Sequence, residues 1–266
     1  LDYPEQYPKY LVVGMRNWLD KAVKKAKKII TISNFTRSEV ISKLGADENK
    51  VVMVTLGYNS DLYNLNTEPN EDNILNNMGV SGPFFVHIGG NLIERKNTDR
   101  IIQAFAKMST QHKDLKLVIV GSSKSRGDEK ETRLDQLKKL VNDLRINDKI
   151  IFPGFVTYEQ LATLLRRTSC CVYPSLAEGF GLPVIEAMAC GAPVITSNTS
   201  SLPEAAGNAA IMINPLDEDE IAAAMGKVLD SKTSEKLRRD GLEWVKKFSW
   251  HKTALSIKDV LEEAGK

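Results

Sequence analysis

The sequence predicts an α/β protein with a doubly wound parallel sheet, and three observations carry the prediction. From residue 84 onward the apolar runs FFVHIG, LKLVIVG, KIIFPG, SCCVYPS, PVITSN and AIMINP are separated by stretches that read as helices. Such alternation belongs to parallel strands joined by helical crossovers, and it predicts a doubly wound domain over about residues 80–230. Start signals in the intervening stretches agree: Thr157 with Gln160, Ser201 with Glu204, and Asp217 with Glu220 are each spaced as N-cap and N3 partners. Finally, a shorter unit of the same kind lies upstream, made of the strand KIITIS, a helix over Asn34 to Leu44 and the strand VVMVTLG.

Taken in chain order, a helical segment from about Pro8 to Ala26 precedes this upstream unit. Two strands alone would leave both edges of their sheet open to pairing. Residues 1–65 therefore read as the remnant of a second Rossmann-like domain whose beginning is absent. The stretch YNLNTEPNEDNILNNMGVSGP, rich in Asn, Pro and Gly, has linker composition and sets a boundary over residues 66–80. The main domain then spans residues 81–245. After Leu229 two more helical stretches follow, the second beginning near Ser249 and Trp250 and returning over residues 246–266 toward the first domain.

Composition narrows the function classes. The 266 residues are 42% hydrophobic, enough to fill the cores of one large or two medium domains. With 36 Lys and Arg against 34 Asp and Glu, the bulk charge gives no reason to expect a nucleic-acid partner. Charge is unbalanced in one place: between Lys9 and Lys28, Lys9, Arg16, Lys21, Lys24, Lys25, Lys27 and Lys28 face only Asp20. This is either a solvated helix face or a surface for an anionic bilayer, where each clustered cation is attracted by about 1 kcal/mol. Cys170, Cys171 and Cys190 do not make a disulfide framework, and a reducing, cytoplasmic compartment fits them. No apolar run approaches the roughly 18 residues that span a bilayer, and no signal pattern opens the chain, so the expectation is a soluble or peripheral protein.

The stretch YPSLAEGFGLPVIEAMACGAPVITSN raises the functional question, because Glu178 and Glu186 flank glycines and a proline. The strand ends at Pro174 and Ser175, and Pro183 suits the first turn of the next helix, where a missing N–H costs nothing. Glu178 is then in the loop, Glu186 about one turn into the helix, and Gly191 suits the position just beyond its end. Between the carboxylates, Gly179, Phe180, Gly181 and Leu182 form a turn at a helix N-terminus, a place that favours a phosphate. The flanking carboxylates can accept hydrogen bonds from sugar hydroxyls, so the arrangement reads as a pocket for a sugar linked to a nucleotide through phosphate. Alternatively each glutamate is an ordinary helix or loop residue.

A second loop follows the first strand of the main domain: His87, Ile88, Gly89, Gly90 and Asn91, then Glu94, Arg95, Lys96 and Asn97. In a parallel sheet both loops leave the carboxyl ends of strands, where ligands of such folds bind. Arg95 grips phosphate oxygens with its fork and Lys96 acts as a point charge, so together they would stabilise a departing diphosphate. No His or Cys spacing reads as a metal site, since His87, His112 and His251 are far apart. A nucleotide-dependent dehydrogenase is disfavoured, because GGNLIERKN replaces the G-x-G-x-x-G that would open a helix.

These residues resemble a known group. EGFGLPVIE is similar to the E-x7-E motif of retaining GT-B glycosyltransferases of family 4, GGNLIERKN to their basic diphosphate loop, and IIFPGFVTYEQL to their base-binding segment. ITISNFTRSEV and FSWHKTA extend the resemblance over nearly the whole chain. The resemblance implies that Glu186 binds the ribose hydroxyls, that Glu178 contacts the donor sugar near the reacting carbon, and that Arg95 and Lys96 neutralise the diphosphate. It implies that the Gly89–Gly90 loop and the backbone of Gly179, Phe180, Gly181 and Leu182 line the donor site, and that Phe155 and Val156 meet the base. It also implies hexose transfer with retention, a nucleotide sugar as substrate, no cofactor and no catalytic metal. The family's full N-terminal, acceptor-binding domain carries a histidine near the sugar. His87 is not its replacement, because it lies on the first strand of the donor domain and packs there.

Within the resemblance, the glutamate stretch is most like mannosyltransferases of surface-polysaccharide pathways, which implies GDP-mannose as donor and a glycan or lipid-linked acceptor. A UDP-hexose donor, and a non-catalytic nucleotide-sugar-binding subunit or fragment, remain as alternatives. Expected partners are the nucleotide sugar, the acceptor, a membrane surface reached through Lys21, Lys24, Lys25, Lys27 and Lys28, and a second copy or a separate N-terminal domain; nucleic acid is not expected.

Overall fold

The computed structural model describes residues 9–122 and 132–265. Its first part comprises helix α1 (Lys9–Lys25), strand β1 (Ile29–Thr31), helix α2 (Asn34–Leu44) and strand β2 (Val51–Met53). β1 and β2 pair in parallel, Ile29 opposite Val51, as the two apolar runs predict. Ser33 starts α2 by accepting a hydrogen bond from Thr36 N at 3.0 Å, and Gly45 ends it in the left-handed region.

Residues 66–80, which read as linker, contain helix α3 (Glu71–Asn77). The reason is an ion pair rather than propensity. Glu71 is buried, and Arg166 Nε reaches its carboxylate at 2.5 Å while Arg167 pairs with Asp72 at 2.7 Å.

The main sheet follows in the order its apolar runs predict: β3 (Phe84–Gly90), α4 (Thr98–Ser109), β4 (Lys116–Gly121), α5 (Arg133–Asp143), β5 (Ile150–Gly154), α6 (Tyr158–Arg167), β6 (Cys170–Tyr173), α7 (Leu182–Ala189), β7 (Val194–Ser197), α8 (Leu202–Ala206) and β8 (Ile211–Ile213). Helices α9 (Glu218–Val228), α10 (Ser231–Trp244) and α11 (Trp250–Gly265) complete the chain. The strands lie side by side as β5-β4-β3-β6-β7-β8, all parallel. The order reverses between β3 and β6, so these neighbours form the topological switch point where doubly wound sheets bind ligands.

Alternate residues feed two cores. Phe84, Val86, Val118, Cys171, Tyr173 and Val194 join one apolar cluster with residues of α6, α7 and α8. Phe85, Leu117, Ile119, Cys170, Val172 and Ile195 join the other with α4, α5 and α9. Both faces of the sheet are thus covered, as a wholly parallel sheet requires. The three cysteines are buried and unbridged.

The start signals are obeyed unequally. Thr157 and Gln160 form a reciprocal capping box. Asp217 accepts from the backbone of Asp219 and Glu220, but the Glu220 carboxylate accepts from Asn214 N instead of returning to Asp217. Ser201 makes no cap at all: its hydroxyl faces Glu178 O and Phe180 O, while Glu204 accepts from Asn34 N and Phe35 N at the start of α2.

α11 packs against the N-terminal lobe through Thr253 Oγ1, which donates to Thr55 O at 2.7 Å, and through a 2.6 Å ion pair between Lys28 and Glu263. Lys27 donates to Ala264 O, so of the clustered lysines Lys27 and Lys28 are engaged within the fold. No residue of α1 is buried, and no described helix is long and apolar enough to cross a membrane.

Candidate functional site

The carboxyl ends of β3 and β6 bring the two predicted loops together. A 3-10 turn over Glu94–Lys96 follows β3 and carries Arg95 and Lys96. Asn97 fixes that turn: it sits in the left-handed region, is buried, and donates from Nδ2 to Pro174 O at 3.0 Å and Pro215 O at 2.6 Å. Leu176 N donates to Arg95 O at 2.9 Å, a backbone bond that ties the two loops directly.

The result is a compact charged cluster. One oxygen of Glu178, Oε1, lies 2.7 Å from Arg95 Nη1, 2.7 Å from Lys96 Nζ and 2.9 Å from Tyr173 OH. Lys96 also donates to the Tyr173 hydroxyl, and Arg95 to Ala177 O. Burial would raise the Glu178 carboxyl, but Lys96 and then Arg95 outweigh it and hold the group below the usual carboxylate range. Lys96 is depressed by burial, with Arg95 adding to the effect and Glu178 offsetting only part of it. Tyr173, fully buried on β6, is pushed far above the usual phenol range by burial and by Glu178, so its hydroxyl stays a neutral donor.

Beyond Glu178 the chain turns into α7. Gly181, at φ +113°, occupies a conformation that side chains rarely adopt, and a Cβ there would come within 2.9 Å of Leu202 Cδ2. Among the described residues, the N–H groups of 179–182 have no hydrogen-bond partner. The neighbouring carbonyls face donors: Leu176 O is held by Thr199, Ala177 O by Arg95 and Gly179 O by Ser33 and Thr36, while Glu178 O and Phe180 O share the one hydroxyl proton of Ser201. Free amides at a helix N-terminus beside two cations make a cradle suited to a phosphate.

Glu186 lies one turn into α7, partly buried, and its carboxylate makes no hydrogen bond or ion pair among the described residues. Burial pushes it up to about 7. An accessible, unpaired carboxylate of this kind is suited to accepting from a diol. Gly89 and Gly90 end β3, where a register shift against β4 begins. There Gly121, at φ +142°, passes so close that a Cβ on it would lie 2.3 Å from Gly90 O. Phe155 and Val156 follow β5 at the sheet's edge. Phe155 is 64% exposed, and Val156 packs against the Tyr173 cluster. The structure thus gathers Arg95, Lys96 and Glu178 into direct contact and sets the other predicted residues around the same end of the sheet.

His87 is fully buried on β3, with Nδ1 3.0 Å from Val172 O and Nε2 3.1 Å from Thr98 Oγ1. A carbonyl only accepts, so Nδ1 carries the proton and Nε2 accepts from Thr98. Burial lowers its pKa to about 4, and the ring is a neutral packing group. Sequence reasoning gave no site role to Tyr173, Ser33 or Thr36, noted Asn97 only as a loop residue, and read Ser201 as a helix cap. Tyr173 shows in the sequence only as a hydroxyl on an apolar strand just before the glutamate loop, which does not by itself announce a site. No group of three or more His, Cys, Asp or Glu among the described residues is placed to hold a metal.

Comparison with known proteins bears on this site. Residues 71–244 match the family Glycosyl transferases group 1. The chain is 32% identical over 249 residues to O-antigen chain mannosyltransferase B of Escherichia coli, covering 93% of this chain and 63% of that protein. It is 28% identical over 251 residues to MMP alpha-(1->4)-mannosyltransferase of Mycolicibacterium hassiacum, covering 92% of this chain and 56% of that one. The chain therefore spans 56 to 63% of the length of these relatives. Anabaena Alr3699/HepE, solved in complex with UDP and glucose, superposes with a TM-score of 0.82 at 20% identity, over 97% of this chain and 68% of that one. Sucrose-phosphate synthase from Thermosynechococcus elongatus gives 0.80 at 24%, over 98% and 63%. The sheet order, the site at its switch point and the match over most of the sequence agree: the chain belongs to the group 1 glycosyltransferases.

Proposed function

We propose that the chain carries the donor half of a retaining hexosyltransferase that moves mannose from GDP-mannose to a glycan or lipid-linked acceptor. The observation that carries this reading is the convergence of Arg95 and Lys96 on a turn whose amides are unpaired. The diphosphate would lie against the N–H groups of residues 179–182, with Arg95 and Lys96 neutralising charge as the bond to the sugar breaks. Glu178 would be displaced from the cations toward the sugar, Glu186 would accept from the ribose hydroxyls, and Phe155 and Val156 would meet the base. In this reading the acceptor attacks from the leaving-group side, so charge stabilisation of the diphosphate is the main catalytic demand, met by these side chains and amides without a metal.

The mannosyltransferase relatives support mannose, whereas the UDP complex of the Anabaena protein keeps a UDP-hexose as the second reading. The test is calorimetric titration with GDP, UDP and ADP, repeated with Glu186→Ala. Selective GDP binding that weakens in the variant supports the donor assignment, selective UDP binding transfers it to a UDP-hexose, and no binding of any nucleotide overturns it. Hydrolysis of the donor by the chain separates an enzyme from a binding subunit.

A membrane-held acceptor fits α1, where Tyr10, Val13 and Trp18 are exposed beside Lys21, Lys24 and Lys25. Co-sedimentation with anionic vesicles at low salt that vanishes at high salt is the expected result, and no binding at low salt refutes it.

A further inference from the structure

The hydrogen bonds of the loop after β6 extend the site into the N-terminal lobe. In a planar trans peptide the carbonyl of one residue and the N–H of the next point in opposite directions. Whatever holds the oxygen of residue i therefore aims the N–H of residue i+1. Ser201 Oγ lies 2.7 Å from Glu178 O and 2.9 Å from Phe180 O, and its single hydroxyl proton, shared between the two, aims the N–H of Gly179 or of Gly181 in this way.

Among the described residues, the carbonyl between them is held only from the other lobe. Ser33 Oγ lies 2.8 Å and Thr36 Oγ1 3.1 Å from Gly179 O, and a carbonyl has lone pairs for both. The N–H they aim is that of Phe180. Glu204 anchors the end of α2 that bears these hydroxyls. Its two oxygens accept from Asn34 N at 2.8 Å and Phe35 N at 2.7 Å, a favourable place for a negative charge. The loop is within van der Waals reach of the same lobe: a Cβ at Gly179 would lie 3.6 Å from Ile32 Cδ1.

We propose that Ser33 and Thr36 are positioning residues of the diphosphate cradle. They lock the peptide between Gly179 and Phe180 so that the Phe180 N–H faces the phosphate, which makes the N-terminal lobe part of the donor site. The inference rests on the nucleotide-sugar reading above for its ligand and on the hydrogen bonds alone for its geometry. Linkage then requires reciprocity: a bound diphosphate tightens the docking of α2 as much as docking tightens the diphosphate.

The experiment compares wild type, Thr36→Val, Ser33→Ala/Thr36→Val and Thr36→Ser. Calorimetric titrations use GDP with GMP and UDP with UMP, and hydrogen exchange is followed over residues 176–182. Thr36→Val leaves the Ser33 cap in place, so it stays interpretable even where the double variant melts early. The expected result is about a tenfold loss of diphosphate affinity in the double variant, the size of one hydrogen bond to a charged group, with monophosphate affinity nearly unchanged. Thr36→Ser restores wild-type behaviour, and exchange over 176–182 quickens in the valine variants. An unchanged diphosphate-to-monophosphate ratio, or equal losses for both nucleotides without rescue by serine, overturns the proposal. If wild type binds no nucleotide, the functional reading fails and exchange alone decides the positioning role: unchanged exchange over 176–182 refutes it, and faster exchange upholds it.

Discussion

Glu178 Oε1 receives three donors at once, from Arg95, Lys96 and Tyr173, and a diphosphate seeking the same two cations must compete with it. Replacing Glu178 with Gln is therefore expected to tighten nucleoside diphosphate binding several-fold while lowering turnover. Weaker diphosphate binding in that variant would show that the carboxylate does not occupy the phosphate's ground. Lys96→Ala should reduce turnover by about a hundredfold or more while changing diphosphate affinity only a few-fold, as for a group used mainly in the transition state. Comparable losses in both would remove that role. Glu186 gives a pH signature. Because burial holds it near 7, nucleotide affinity is expected to rise as pH increases through about 7, and the rise should vanish in Glu186→Gln. A pH-independent affinity in wild type would mean that Glu186 does not meet the ribose as a carboxylate.

Among the elements, those with a strong local cause were legible in the sequence. All six strands of the main sheet coincide with apolar runs, and Thr157 and Gln160 form the cap their spacing announces. Thr157→Ala is expected to cost about 1 kcal/mol in urea unfolding, the usual value of an N-cap, and no change would mean that the box is ornamental. Ser201 and Glu204 have the same spacing but serve distant partners, and only the tertiary structure reveals Glu178 O, Phe180 O, Asn34 N and Phe35 N as their targets. α3 was obscured for a related reason, since its decisive residue, Glu71, is matched by Arg166 some 95 positions away. The charged loops of the site were legible because Arg95, Lys96, Glu178 and Glu186 are unusual where they stand. Tyr173 and Asn97 were not, because a buried tyrosine and an asparagine before a helix are ordinary until their partners are known. Gly181→Ala tests the turn itself. The positive φ and the contact with Leu202 should together destabilise by about 1–3 kcal/mol, and an unchanged melting temperature would contradict the strained geometry.

At the scale of the whole molecule, buried His87 and partly buried Glu186 impose opposite pH dependences. His87 has a folded pKa of about 4 against an ordinary 6.5, so its contribution to stability is complete above 6.5 and is lost as pH falls toward 4. Glu186, raised to about 7 from 4.5, contributes stability below 4.5 that is lost as pH rises through 7. Over pH 4.5 to 6.5 the two slopes oppose each other. Glu186→Gln should therefore stabilise the protein by about 2–3 kcal/mol more at pH 8 than at pH 4.5, measured by urea unfolding. The same gain at both values would show that the carboxyl is not desolvated.

The chain crosses between its lobes twice, once after β2 and again at the start of α11, and the two crossings touch. A Cβ on Gly57 would lie 2.1 Å from Trp250 N, so backbone rests directly on backbone there. Gly57 is the point where the crossings meet, and even a single methyl group there would act as a wedge that forces the two backbones apart.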